Sequence, residues 1–200
     1  MSEPNNSAES SQEAGALQLG RATPAAPLTP ASDEIRVQLL SVARQIRLLG
    51  LDVDGVMTDG HLLFLDSGEG GKNFHVRDGQ GLRSLQDAGI QVAIITGRRS
   101  MAVEHRAREL GIQEVHQGVG EKGAVWAAIQ NRLGIPPSHC AYMGDDLPDL
   151  PCLRQSALPA CPADAVDEVR AEALFVSPVG GGLGAVRDLC DLILRARSIG

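Results

Sequence analysis

Asp52 and Asp54 stand two positions apart at the end of the apolar residues Leu48, Leu49 and Leu51, with Gly55 directly after them. Such a pair has two ordinary chemical uses. Carboxylate oxygens suit a hard cation such as Mg²⁺, and two neighbouring acids also divide labour as nucleophile and acid/base. A pair that merely caps the next turn has the same spelling, so the rest of the chain has to decide. Three later places add to it: Thr96 after the apolar Gln91–Ile95, Lys122 after a loop containing Gly118 and Gly120, and Gly144-Asp145-Asp146-Leu147-Pro148-Asp149 after Cys140–Met143. Acids alone would repel one another and any anionic substrate. A Mg²⁺ between Asp52 and Asp145 would cancel much of that charge, while Thr96 and Lys122 would hold phosphoryl oxygens.

These residues meet only if their strands are parallel neighbours. The run ending at Asp52 is apolar at consecutive positions, as expected of a strand covered on both faces, and the carboxyl ends of such strands are where open α/β sheets bind ligands. Strands alternate with helices along the chain. Ile35, Leu39 and Val42 mark a first helix, capped by Ser32 or Asp33. His61–Leu65 and Asn73–Val76 read as a hairpin with its tip over residues 66–71. Helices follow on Leu82, Leu85 and Ala88, ended by Gly89, then on Val103, Ala107 and Leu110, ended by Gly111, and on Val125, Ile129 and Leu133. Strands are expected at Gln91–Ile95, Glu114–Gln117, Cys140–Met143 and Leu174–Val176, and late helices at 164–171 and around Val186, Leu189, Cys190 and Ile193. The pattern predicts an α/β fold, a three-layer sandwich around a central parallel, Rossmann-like sheet. Residues 1–32, rich in Ser, Ala, Pro and Glu without periodicity, are expected to form a disordered tail, leaving 33–200 as one domain.

Composition narrows the partners. A chain of 200 residues buries about 70% of its unfolded surface, enough for a proper core. A net charge of −7 argues against nucleic acid or an anionic membrane as a partner, because both require a basic face. Cys140, Cys152, Cys161 and Cys190 are irregularly spaced and read as reduced core thiols. With no signal-peptide pattern and no membrane-spanning run, a cytoplasmic location is expected.

Asp-Val-Asp-Gly-Val, a Thr after an apolar strand, a Lys before a helix and Gly-Asp-Asp-x-x-Asp, in that order over residues 46–150, resemble the four motifs of the haloacid dehalogenase-like phosphohydrolases. The resemblance implies that Asp52 is the nucleophile and becomes an aspartyl-phosphate. Asp54 would protonate the leaving alkoxide and then deprotonate the attacking water. It further implies a Mg²⁺ held by Asp52, Asp145 and the backbone carbonyl of Asp54, with Thr96 and Lys122 completing the catalytic set. Neither the stretch between Asp59 and Gln91 nor that between Arg98 and Lys122 has room for a separate lid domain. A neighbouring subunit is the economical cover, with the hairpin as an element between subunits.

The segments Lys72–Gly81, Ile94–Arg98 and Gly181–Arg187 are similar to those of the lidless, tetrameric 3-deoxy-D-manno-octulosonate 8-phosphate phosphatases, a likeness covering about residues 34–195. It implies a small phosphorylated sugar acid as substrate, in lipopolysaccharide precursor synthesis, and a homotetramer. The residues matching that family's substrate contacts are Asp54, His75, Val76, Arg77, Asp78, Gly79, Arg83, Arg98, Arg106 and Lys122. A substrate with a carboxylate at one end and a phosphate at the other requires cations in two places, and Arg pairs well with a planar carboxylate. Phosphatases of nine-carbon, sialic-acid-type sugar acids share nearly the same motifs, and a catalytically idle assembly module of the same fold is the other alternative. Gly70-Gly71 departs from the expected pattern, where a bulkier residue would stand beside Lys72.

Overall fold

The computed structural model describes residues 30–66 and 68–198. In chain order the main elements are α1 (Pro30–Arg44), β1 (Leu48–Leu51), β2 (Phe64–Leu65), β3 (Gly68–Glu69), α2 (Val76–Asp87), β4 (Gln91–Thr96), α3 (Met101–Leu110), β5 (Glu114–Gln117) and α4 (Lys122–Leu133). They continue with β6 (Cys140–Met143), α5 (Leu150–Leu153), β7 (Leu158–Cys161), α6 (Asp167–Glu172), β8 (Phe175–Val176) and α7 (Ala185–Ser198). Six strands form one sheet in the order β5-β4-β1-β6-β7-β8, every neighbouring pair parallel.

Alternation along the strands builds two cores. Leu49 and Leu51 of β1, with Val92 and Ile94 of β4 and Met143 of β6, pack under Ala43, Leu82, Leu85, Val103, Leu189 and Ile193 of α1, α2, α3 and α7. Leu48, Ala93, Ile95 and Tyr142 point the other way, onto Trp126 and Ile129 of α4 and Cys152 and Leu153 of α5. The result is the expected three-layer sandwich, and the consecutive leucines of β1 follow from burial on both faces. Gly50 leaves room for the second core: a Cβ there would lie 2.5 Å from the Tyr142 ring and 2.9 Å from that of Trp126. Those rings meet edge to face at 5.4 Å. The four cysteines are free and buried, as expected.

The strands expected at Glu114–Gln117 and Cys140–Met143 have those bounds, and α3 ends on Gly111 in the left-handed conformation. Four readings need correction. Helix α1 begins at Pro30, so Ser32 and Asp33 lie in its first turn rather than capping it; residues 1–29, the bulk of the expected tail, lie outside the described residues. The hairpin is tighter than expected, because β3 uses Gly68 and Glu69 from the supposed tip, pairing Phe64 with Glu69 and Leu65 with Gly68. Asn73–Val76 is no strand; it leads into α2, with His75 as its cap. Strand β7 went unread because Pro159 lies within it; in the observed ladder a parallel partner is present on both sides.

Candidate active site

β1 lies at the point where the sheet's connections change direction, with β4 on one flank and β6 on the other. The carboxyl ends of these three strands open a crevice there. Asp52 follows β1 directly, and its N–H donates to the Met143 carbonyl at 3.1 Å, which extends the β1–β6 ladder by one step. Thr96 is the last residue of β4, Lys122 opens α4, and Asp145 follows β6 after Gly144. The cleft holds about 300 Å³ and is lined by Asp52, Asp54, Thr96, Arg98, Lys122 and Asp145, with Asp149 at its floor. A larger hollow of about 400 Å³, between α1, α7 and β8, contains none of these residues.

Lys122 is the centre of the charge arrangement. Its ammonium stands 2.9 Å from Asp52 Oδ2 and 2.8 Å from Asp149 Oδ1, and it is only 6% exposed. Burial pulls its pKa down, but attraction to Asp52 and Asp149 more than offsets this and leaves it raised. Asp149 is fully buried and fully occupied. Its Oδ1 also accepts from the Tyr142 hydroxyl at 3.1 Å, while Oδ2 accepts from the N–H groups of Asp145 and Asp146. Asp149 is thereby the brace that holds the lysine and the Asp145 backbone in place.

Asp52 and Asp145 are different. Asp52 Oδ1 and Asp145 Oδ1 are both buried without a hydrogen-bond partner, a costly state for a carboxylate. Burial, then the charge of Asp149, pushes the Asp52 pKa up to about 6. Burial, followed by repulsion from Asp52 and Asp149, pushes Asp145 up to about 8. One oxygen from each of Asp52, Asp145 and Asp149 lies within 4.8 Å of the others, close enough for a common cation. Since Asp149 spends its lone pairs on protein donors, the orphaned oxygens of Asp52 and Asp145 are the ones that fit a hard divalent ion.

Asp54 points into the same cleft from the loop after β1. Its Oδ1 accepts from Lys72 Nζ at 2.5 Å, and its Oδ2 lies 3.9 Å from Arg98 Nε. Lys72, at the base of the hairpin, has a side chain only 3% exposed. In the sequence it stood out only as the first residue of the Lys72–Gly81 segment that carries the resemblance, because a lone lysine in a loop is usually solvated. Tyr142, on β6, is fully buried, and its hydroxyl donates to the acid brace at Asp149.

Of the ten expected substrate contacts, Asp54, Arg98 and Lys122 line the cleft. The others gather outside that lining, at the start of α2 and on α3. His75 Nδ1 accepts from the Arg77 N–H at 3.2 Å, Val76 and Arg77 are exposed, and Asp78 is buried, accepting from the Arg187 N–H at 2.9 Å. Arg106 lies against Gly79, where a Cβ would come within 2.3 Å of its Nη2. That Nη2 donates to the His75 carbonyl at 3.2 Å and Nη1 to Glu109 at 2.8 Å. Arg83 donates to the Glu109 carbonyl at 3.0 Å.

A family model for the haloacid dehalogenase-like hydrolases matches residues 73–156. The 3-deoxy-D-manno-octulosonate 8-phosphate phosphatase of Escherichia coli K12 is 42% identical over 163 residues, 82% of this chain and 87% of its own length. That of Yersinia pestis is 44% identical over 168 residues, 84% and 88% respectively. The crystal structure of the Moraxella catarrhalis phosphatase of the same name, in complex with a magnesium ion, a phosphate ion and a KDO molecule, superposes with a TM-score of 0.78 at 41% identity, covering 80% of this chain and 92% of that one. With two acids left open for a cation, a buried lysine between them and a third acid, and relatives this similar over most of its length, the chain belongs to the haloacid dehalogenase-like hydrolases, within their 3-deoxy-D-manno-octulosonate 8-phosphate phosphatase family.

Proposed function

We propose that this protein is a Mg²⁺-dependent phosphatase that hydrolyses 3-deoxy-D-manno-octulosonate 8-phosphate to the free sugar acid and phosphate, in lipopolysaccharide precursor synthesis. The observation that carries the reading is the pair of buried, unpartnered oxygens on Asp52 and Asp145 beside the Lys122–Asp52 ion pair. Asp52, Asp145 and the backbone carbonyl of Asp54 would hold the magnesium. When bound, it supplies positive charge that offsets the two acids and draws phosphoryl oxygens toward the nucleophile.

The residues then divide the work. A carboxylate oxygen of Asp52 attacks phosphorus, and the bond from phosphorus to the ester oxygen breaks with its electron pair passing to that oxygen. Asp54, in its protonated form, gives that oxygen a proton, so the sugar acid leaves as an alcohol. The Asp54 carboxylate next takes a proton from water; the hydroxide attacks the aspartyl-phosphate, and its Asp52–phosphorus bond breaks to release phosphate and the original carboxylate. Lys122 neutralises Asp52 and, with the Thr96 hydroxyl, binds the phosphoryl oxygens. Arg98 is placed to receive the anionic substrate beside Asp54.

The arginine cluster at α2 and α3 supports recognition of the substrate's carboxylate. A tetramer in which a neighbour covers the cleft is supported by the hairpin: Leu62, Leu63, Phe64 and Leu65 are consecutive and exposed, Phe64 by 65%. Among the described residues no helix is long and apolar enough to cross a membrane.

The deciding experiment is phosphate release from a panel containing eight-carbon and nine-carbon sugar-acid phosphates and hexose phosphates, with and without EDTA. The eight-carbon substrate is expected to have the highest kcat/KM, and activity should vanish with EDTA. Preference for the nine-carbon compound would reassign the substrate, and no hydrolysis by metal-loaded protein would overturn the reading.

A further inference from the structure

The loop carrying Asp54 is pinned from two sides. Gly55 has φ +87°, and on one face a Cβ there would come within 2.1 Å of Asp145 Oδ2. Its opposite contact is the glycine run before α7. A Cβ on Gly181 would lie 1.8 Å from the Gly55 carbonyl oxygen and 2.8 Å from that of Thr58. Gly182, at φ +65°, would place one 2.5 Å from the Asp59 nitrogen, and its own N–H donates to the Val56 carbonyl at 3.0 Å. The Gly181 N–H is held at 3.0 Å by Asp164 Oδ1, from the loop before α6. Two backbones in such close contact leave no space for a side chain between them.

We propose that Gly181, Gly182 and Asp164 are positioning residues: the glycine run is a seat against which the Gly55–Asp59 loop is pressed, and the seat fixes where Asp54 stands relative to the Asp52 nucleophile. None of the three needs to touch substrate. Asp164 acts through the Gly181 N–H, and the seat acts through Gly55, the residue next to Asp54. The proposal rests on Asp54 being the acid/base, so its test separates the two.

The test compares Gly181→Ala, Asp164→Ala and Asp164→Asn with Gly184→Ala and Asp54→Asn, all as full chains with Mg²⁺. Gly184, at φ +114°, has nothing within 4 Å of an added Cβ, so its alanine variant strains the same run without pressing on the loop. Two readouts are used. The first is the dependence of kcat/KM on leaving-group pKa across simple aryl and alkyl phosphates, which steepens when the acid no longer protonates the leaving oxygen. The second is amide exchange at Met57 and Thr58, whose N–H groups donate to the Val53 carbonyl.

Asp164→Ala is expected to steepen the leaving-group dependence, costing roughly tenfold on alkyl phosphates and little on aryl ones, and to speed exchange at Met57 and Thr58. Asp164→Asn, which keeps an acceptor for Gly181, should restore both. Gly181→Ala should show the larger form of the same defect, whereas Gly184→Ala lowers the melting temperature without changing the dependence. If Gly181→Ala does not fold, the Asp164 pair decides. The seat is overturned if aryl and alkyl substrates lose activity equally, if Asp164→Ala behaves as wild type, or if Gly184→Ala matches Gly181→Ala. An unchanged dependence in Asp54→Asn would instead remove Asp54 as the acid; the exchange rates would then still accept or reject the seat.

Discussion

The acid cleft and the arginine cluster of α2 and α3 lie on the same molecule but are built on opposite principles. In the cleft, charges are buried and hold one another: Lys122 is shared by Asp52 and Asp149, and Asp149 is braced by Tyr142 and two backbone N–H groups. In the cluster, Arg83 and Arg106 rest on the exposed Glu109, Arg77 is solvated, and only Asp78 is deeply buried. Buried charges at the ends of three strands have one geometry available, which suits bond-making. Arg77 and Arg83, exposed on the helix surface, adapt to a ligand, which suits selection, while Arg106 is only 14% exposed and held by His75 and Glu109. Under the proposed function, this contrast predicts that substitutions in the cleft lower kcat, while substitutions in the cluster raise KM.

The sharpest way to break this division is at Asp52. Asp52→Asn should lower kcat by roughly four powers of ten or more, the scale of losing the nucleophile of a covalent catalyst. Arg106→Ala should leave kcat nearly intact. Steady-state kinetics on the eight-carbon substrate checks both, and comparable kcat losses would abolish the distinction.

Stability gives the next largest contrast. Lys122→Met leaves Asp52 and Asp149 buried together without their cation, and removing one partner of a buried pair costs on the order of 3–5 kcal/mol. Arg83→Ala removes an exposed contact and should stay within about 0.5 kcal/mol of wild type. Urea denaturation of the metal-free proteins measures both; a small effect at Lys122 would mean that water already reaches the cleft.

A third difference appears with pH. The folded-state pKa values of Asp52 and Asp145 are raised, to about 6 and about 8, above the ordinary aspartate value of 3.8. Between those limits the metal-free folded protein binds more protons than the unfolded chain, so its stability is greatest at the acid end and declines as pH rises through 6 and 8. Mg²⁺ on these oxygens should remove that decline. Melting curves at pH 5 and pH 8 are expected to show several degrees of Mg²⁺ stabilisation at the higher pH and little at the lower. Equal stabilisation at both would place the ion elsewhere.

What the sequence disclosed follows the same division. Asp52, Thr96, Lys122 and Asp145 were legible because each ends or begins a periodic element, and a parallel sheet brings such ends to one edge whatever the details of packing. The α2 cluster was legible only through resemblance, since Arg77 and Arg83 carry no periodicity that distinguishes a binding surface from a solvated face. The burial of Lys72 and the bracing role of Asp149 were hidden because both depend on tertiary partners. The hairpin was misread because its second strand begins at a glycine, ordinarily a turn signal. The glycine run was legible only through the resemblance carried by Gly181–Arg187. Its contact with the Gly55 loop joins segments well over a hundred residues apart, which local pattern cannot report.

The smallest expected effect is the one that bears most directly on where the two regions meet. Arg106→Ala removes a guanidinium that is only partly exposed and is held by His75 and Glu109. A single charge-assisted hydrogen bond to substrate contributes about 1.5–3 kcal/mol, so KM should rise by roughly ten- to a hundredfold with kcat within about twofold. If the cluster serves a neighbour's cleft, hybrids co-expressed from Asp52→Asn and Arg106→Ala chains contain sites that pair an intact nucleophile with an intact arginine from next door. Such hybrids should recover a fraction of sites with wild-type KM, and light scattering should find them as oligomers. Hybrids showing only the raised KM would assign Arg106 to its own subunit's cleft. In that case the hairpin, with Phe64 at its exposed face, would be left as the element that brings subunits together.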